Sequence, residues 1–235
     1  MQPLRLSFLC LLLVAATSVF AQDKPKTGVV LYRDRLAQQF DTVKVVKNIF
    51  KLNPLLFFRG EIPLYYERAL TPRVSAELAV GFTARNYIGN TLSGDDVDSF
   101  SRGTDILFRP SYHVGLRYYL RDDLEPQGLY TQFEFVHLEY TKDITVKGPT
   151  GDFTEEKLRD ERVFDDLRLL LGFQQLAASS NWLFDFYGGL GLRSRDMTIV
   201  DEQLDLTNNQ YSYTVEDQDD TVISVFLGVK VGLGF

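Results

Sequence analysis

From about residue 44 to the last residue, apolar side chains recur at every second position, and no stretch keeps the three-and-four spacing of an amphipathic helix. The clearest run closes the chain: Ile223, Val225, Leu227, Val229, Val231, Leu233 and Phe235 alternate with Ser224, Phe226, Gly228, Lys230, Gly232 and Gly234. The same period sets Val74, Ala76, Leu78, Val80 and Phe82 against Ser75, Glu77, Ala79, Gly81 and Thr83. Ile106, Phe108, Pro110, Tyr112, Val114, Leu116 and Tyr118 likewise oppose Arg109, Ser111, His113, Gly115, Arg117 and Tyr119. Eight strands are predicted, at roughly 44–57, 61–70, 73–88, 106–120, 129–141, 162–176, 182–196 and 221–235.

The links between these strands alternate in size. Short ones, "LTPR", "RDDLEPQG" and "AASSN", follow the second, fourth and sixth strands. Long polar ones, "GNTLSGDDVDSFSRGTD", "TKDITVKGPTGDFTEEKLRDE" and "MTIVDEQLDLTNNQYSYTVEDQDD", follow the third, fifth and seventh. Only "FRGE", after the first, is short where a long one is expected. An up-and-down barrel in an outer membrane has a reason for this asymmetry, since its periplasmic turns are short and its outer loops long. The expected fold is therefore all-β, an eight-stranded antiparallel up-and-down transmembrane β-barrel over residues 44–235. A soluble barrel of lipocalin type would show the same alternation with the apolar face inward. The mixture of glycine with Arg, Glu, Asp and Tyr on the polar face suits a narrow lumen better than a water-washed surface. Aromatic residues near strand ends, Tyr65, Tyr66, Tyr87, Tyr118, Tyr130, Tyr140, Trp182 and Phe235, are candidates for two interfacial girdles.

Composition agrees with a strand-rich chain: of 235 residues, 18 are Phe and 12 Tyr. Arg5 followed by "LSFLCLLLVAA" and "VFA" before Gln22 has the order of an export signal, so residues 1–21 are expected to be removed. The apolar run falls short of the ~18 residues of a spanning helix. Residues 22–43 then form a polar lead-in, with a helical turn expected around "RDRLAQQF". The single cysteine, Cys10, lies inside the signal, which leaves no thiol for disulfides, metal sites or catalysis. A formal net charge of −7 and the absence of a basic stripe argue against a nucleic-acid partner.

The chain resembles the small eight-stranded outer-membrane β-barrels of Gram-negative bacteria over about residues 44–235. "KLNPLLFFRGEIPLYYERAL" is similar to the opening hairpin of an uncharacterised Bacteroidota barrel family, at Asn53, Pro54, Leu55, Tyr66, Glu67 and Arg68. The resemblance implies an outer-membrane location among lipid and lipopolysaccharide, a monomer, and recognition of the terminal Phe235 by the barrel-insertion machinery. It implies no reaction, because fold does not settle function.

Candidate chemistry centres on the lumen. Alternation places there Lys47, Lys51, Arg85, Arg109, Arg117, Arg168, Arg193 and Lys230 with Glu61, Glu67, Glu77, Glu134, Asp166 and Asp185. In so narrow a barrel these read as a paired plug, with a gated narrow channel as the alternative. Ser111 and His113 share one face, and pairing of Leu120 with Leu129 puts His113 opposite Val136 with Glu134 diagonal to it. That is a nucleophile, base and carboxylate, resembling the lipid A deacylase barrels, although the S-x-H order departs from their H-x-S. The bland reading of His113, and of His137 alone between Val136 and Leu138, is structural. Acidic groups at Asp95, Asp96, Asp98, Glu155, Glu156, Glu216, Asp217, Asp219 and Asp220 lack the order of a calcium loop, and "YGGLGL" opens no helix. The expectation is a non-enzymatic envelope protein with no catalytic, cofactor or metal residues, acting in envelope integrity or surface interaction. A lipid-modifying hydrolase using Ser111, His113 and Glu134 is the other class.

Overall fold

A computed structural model describes residues 32–42, 45–87, 102–148, 151–177, 180–205 and 210–235. The expected export signal, most of the lead-in, and the acidic group at Asp95, Asp96 and Asp98 lie outside the described residues. The chain divides into two units, Met1–Asp34 and Arg35–Phe235, and only the first turn of one helix is described in the former. That helix, α1 (Tyr32–Thr42), is where a helical turn was expected.

The rest is an antiparallel ring. Its strands are β1 (Asn48–Leu52), β2 (Glu61–Ala69), β3 (Val74–Thr83), β4 (Thr104–Leu107), β5 (Arg109–Tyr119), β6 (Gly128–Lys147), β7 (Phe153–Leu176), β8 (Trp182–Asp205) and β9 (Gln210–Gly234). Each pairs with its neighbours in the ring, and β1 with β9 closes it. β4 and β5 are two halves of one ring strand. Leu107 pairs with Thr141 but Tyr112 with His137, so five steps on one strand match four on β6, a bulge at Phe108. The bulge reverses the facing of Ile106, which the unbroken alternation placed outside, and puts Asp105 outward opposite Asp143. Eight ring strands thus result, as expected.

Register fixes the shape of the ring. From Ile223 the pairs run through Leu192, Leu167, Phe135, Val114, Leu78, Tyr66 and Phe50, and return to β9 at Leu233, ten residues on. With ~3.3 Å per residue and ~4.8 Å between strands, this stagger over eight strands gives a tilt of about 40° and a backbone radius of about 8 Å. Only side chains fit inside.

Two expectations about extent need correction. The first strand ends at Leu52, not at 57, because Asn53 caps a five-residue helix, α2 (Pro54–Phe58): its side chain accepts the Leu55 N–H at 3.1 Å and Pro54 occupies the first turn. The second and third long links are mostly not loops. β6 runs to Lys147 before β7 starts at Phe153, and β8 runs to Asp205 before β9 starts at Gln210. These extensions mix polar and apolar residues on both faces, with Lys142 and Asp160 buried beside Ile144 and Val200, so the backbone ladder continues without an apolar alternation in the sequence. Their tips meet: the Lys147 N–H donates to Tyr213 Oη at 2.9 Å and its Nζ lies 2.5 Å from Glu202.

Inside the ring, glycines make room for tyrosines. Tyr119, Tyr130, Gly172, Tyr187 and Gly228 are consecutive cross-strand neighbours on the inward face. A Cβ at Gly172 would overlap the Tyr130 ring, and one at Gly228 the Tyr187 ring. Gly172→Val should therefore destabilise the ring by about 1–3 kcal/mol by overpacking, read as a lowered urea midpoint; a midpoint equal to that of the parent would contradict the tyrosine–glycine packing.

Candidate functional site: the charged lumen

All six carboxylates assigned to the lumen by alternation are buried, as are Lys51, Arg117, Arg168, Arg193 and Lys230. Lys47, Arg85 and Arg109 lie towards strand ends and are half-buried, with Arg109 Nε 2.9 Å from Glu139. The opposite face carries the apolar residues in the open: Leu169, Leu227, Ile223 and Val80 are 65%, 76%, 70% and 68% exposed. This inverts a soluble barrel, whose apolar face would fill the centre. Of the girdle candidates, Tyr87, Tyr118, Trp182 and Phe235 are exposed, whereas Tyr65, Tyr130 and Tyr140 are buried and point inward. Strand-end position alone could not separate the two faces.

The buried charges form two nodes. Towards the short turns, Lys51 Nζ donates to Glu67, to Glu77 at 3.1 Å, to Asp185 at 3.1 Å and to Gln174 Oε1 at 2.6 Å. Arg117 reaches the same three carboxylates, at 3.2 Å, 2.7 Å and 2.8 Å, and its guanidinium stacks over the Tyr130 ring at 4.3 Å. Lys230 Nζ lies 2.6 Å from Glu77 and 3.9 Å above the Tyr65 ring. Tyr119 and Tyr130 donate to Glu67 and Asp185 at 2.8 Å and 2.5 Å. Three cations thus face three anions, drawn from β1, β2, β3, β5, β8 and β9.

Further along, Asp166 holds Arg168 and Arg193 at 2.5 Å and 2.7 Å, and Arg168 reaches Glu134 at 3.3 Å. His113 joins this second node: Nε2 lies 2.6 Å from Glu61, and Nδ1 lies 3.3 Å from Tyr65 Oη and 3.6 Å from Glu134. Towards the projecting hairpins the fill turns apolar, with Val136, Leu138, Tyr140, Phe164 and Met197 packed together.

The register expected for the hydrolase constellation is present: Leu120 donates to Leu129 O at 2.9 Å and His113 pairs with Val136. The chemistry is not assembled. Ser111 Oγ is buried with no hydrogen-bond partner among the described residues, while both nitrogens of His113 face other groups. A general base must lie within ~2.6–3.2 Å of the proton it removes. The closest carboxylate to His113 is Glu61, two strands away through β3, a neighbour visible only once the ring pairing is known. His137 is not alone: on the outer face its Nδ1 lies 2.7 Å from Asp165, and its ring stacks on Tyr112 at 4.8 Å. Among the described residues no His, Cys, Asp and Glu group is arranged to hold a metal ion. Glu155, Glu156, Glu216, Asp217 and Asp219 are exposed on strands rather than in loops, and Asp220 accepts Arg195 Nε at 2.6 Å. Compared with known family models, with curated proteins and with solved structures, the chain matches none.

Removing one partner of this network strands the others. Arg117→Met should destabilise by about 3–5 kcal/mol, the range for an uncompensated buried charge, whereas Ser111→Ala should leave the urea midpoint unchanged; equal effects of the two would contradict the pairing. On the projecting strands, the Arg159 hydrogen bond holds the Asp143 carboxyl below its usual range, and Arg195 does the same for Asp220. Depressed carboxylates contribute stability above their unfolded value and lose it as pH falls through the folded one. Limited proteolysis of the hairpins should therefore be as slow at pH 5 as at pH 7 and accelerate only below about pH 4; acceleration between 7 and 5 would contradict this.

Proposed function

We propose that the chain is an exported outer-membrane β-barrel whose filled lumen is structural, and that it acts without catalysis, in envelope integrity or surface interaction, through its projecting hairpins. One observation carries this: the outward face is apolar on all eight ring strands while the centre is charged. The largest apolar patch on a soluble monomer is typically ~300–600 Å², far less than a belt encircling the molecule. On β8 the belt runs from Trp182 to Leu192, which at ~3.3 Å per residue and a tilt of about 40° spans about 25 Å, the height of an outer-membrane apolar band. Directly above Phe135, Leu167, Leu192 and Ile223, the next outward row is His137, Asp165, Ser194 and Thr221. At the other end Phe235 stacks on Phe50 at 5.4 Å and Tyr66 lies 5.4 Å from the same ring.

Neither rival class gains from the geometry. A hydrolase lacks a serine–histidine contact, and the lumen of a channel would be obstructed by Arg117, Arg193, Lys51 and Lys230, all fully buried. The mature protein should fractionate with outer membrane and migrate faster unheated than boiled on a denaturing gel; recovery among soluble periplasmic proteins would refute the proposal. Planar bilayers should record no discrete conductance steps, and steps sensitive to Arg117 substitution would restore the channel.

A further inference from the structure

The belt has one cationic exception. Among the described outward positions of the ring strands below the His137 row, Arg68 is the one lysine or arginine. It sits at the short-turn end of β2, exposed, two residues beyond Tyr66 on the same face. No described residue gives it a hydrogen bond or an ion pair. Glu67 beside it points into the lumen, and the three acidic groups of the neighbouring turn are engaged elsewhere: Asp122 by Arg73 Nε and, at 2.6 Å, Nη2, Asp123 by Gln127 Nε2 at 3.0 Å, and Glu125 by the Val46 N–H at 3.3 Å.

Its cross-strand neighbours complete the arrangement. On one side Arg68 pairs with Asn48, whose Oδ1 accepts the Tyr66 hydroxyl at 2.7 Å, so the amide nitrogen remains as a donor. On the other it pairs with Ala76, which offers no polar side chain to compete for the guanidinium. Donors therefore meet at the lower edge of an apolar surface formed by Phe50, Leu64 and Tyr66, with no described carboxylate bonded to them. A guanidinium fork matches phosphate oxygens bidentately.

We infer that Arg68 and Asn48 form a phosphate site for an anionic phospholipid of the leaflet at the short-turn rim. This rests on the proposed membrane span. The phosphate would sit on the two donors while the acyl chains lie along Phe50, Leu64 and Tyr66, an anchorage that free phosphate lacks. This also assigns roles to the Y-E-R triplet: Tyr66 orients Asn48, Glu67 holds the lumen network, and Arg68 faces the lipid.

Native mass spectrometry of the full chain in detergent, with equal phosphatidylglycerol and phosphatidylcholine, tests the site. The parent should favour single phosphatidylglycerol adducts about fivefold, the effect of one cation at an anionic lipid surface. Arg68→Gln should bring the ratio to near one, as should Asn48→Asp, which sets a carboxylate beside an intact Arg68. Arg73→Gln, the same change of charge at an already paired arginine, should keep the preference. A preference that survives Arg68→Gln, or that inorganic phosphate at the lipid concentration abolishes, overturns the lipid site. Each variant is first run unheated, so that where Arg68→Gln loses the fast-migrating band Asn48→Asp carries the test. A parent without that band refutes the membrane span itself, whereas a parent with the band and no lipid preference refutes only the site.

Discussion

Every ion taken out of water into a packed interior costs several kcal/mol unless a partner of opposite charge and good hydrogen bonds meet it there. A ring of eight strands staggered by ten residues is too narrow for those ions to keep their water, so the inward residues must neutralise one another. This constraint explains why the lower node draws its three cations and three carboxylates from six different strands. Lys51 alone ties β1 to β2, β3 and β8. The network is then a selector of register as much as a source of stability. A one-residue slip of any ring strand would carry its charges to the apolar exterior and leave their partners buried without a counterion.

The glycines follow from the same geometry. Long charged side chains and the five buried tyrosines, Tyr65, Tyr119, Tyr130, Tyr140 and Tyr187, cannot share a lumen with a Cβ at every inward position. Where Tyr130 reaches across its neighbour to donate to Asp185, that neighbour is Gly172, and the partner of Tyr187, whose hydroxyl accepts Asn53 Nδ2 at 2.8 Å, is Gly228. Asn53 in turn caps α2, whose Leu56 packs on Tyr65 and Ala79 within the lumen. A capping residue at the end of β1 is thus coupled to the charged interior.

Where one face is apolar and the other charged, the sequence alone places residues well: the outward rows of β5, β7, β8 and β9, and the six lumen carboxylates, follow from alternation. It fails where the contrast between faces disappears. Beyond Tyr140 and Arg195 the covered face itself mixes Lys142 and Asp160 with Ile144, Met197 and Val200, and polar residues stand on either face, so the strand period is invisible in hydropathy. It fails again at Ile106, where one inserted residue reverses the facing without changing composition. The partner of His113 was hidden for a different reason: Glu61 is 52 residues away and adjacent only through an intervening strand. Local pairing of β5 with β6 suggested Glu134, which lies 3.6 Å away but is not the nearest carboxylate.

A neutralised, filled lumen is the reason the proposed function is assigned to the outer surfaces. The two described hairpins beyond the belt are not slack loops. β6 with β7, and β8 with β9, carry paired backbone to within a few residues of their tips, and Lys147 joins the two hairpins through Glu202, through Tyr213 and over the Tyr211 ring at 4.8 Å. The Val200 N–H donates to Asp160 Oδ2 at 3.2 Å and joins them again lower down. Two independent hairpins would lose conformational freedom on meeting a partner, whereas a pair already cross-linked has lost part of it in folding. On the β6–β7 side charges pair across strands, Asp105 with Lys157 at 2.7 Å and Asp143 with Arg159 at 2.9 Å, whereas the β8–β9 hairpin exposes Asp196, Asp201, Glu216, Asp217 and Asp219 and is acidic. If the hairpins carry the proposed function, a partner would meet a preformed surface whose β8–β9 half presents negative charge and whose β6–β7 half is internally paired, so shape and charge would both select it.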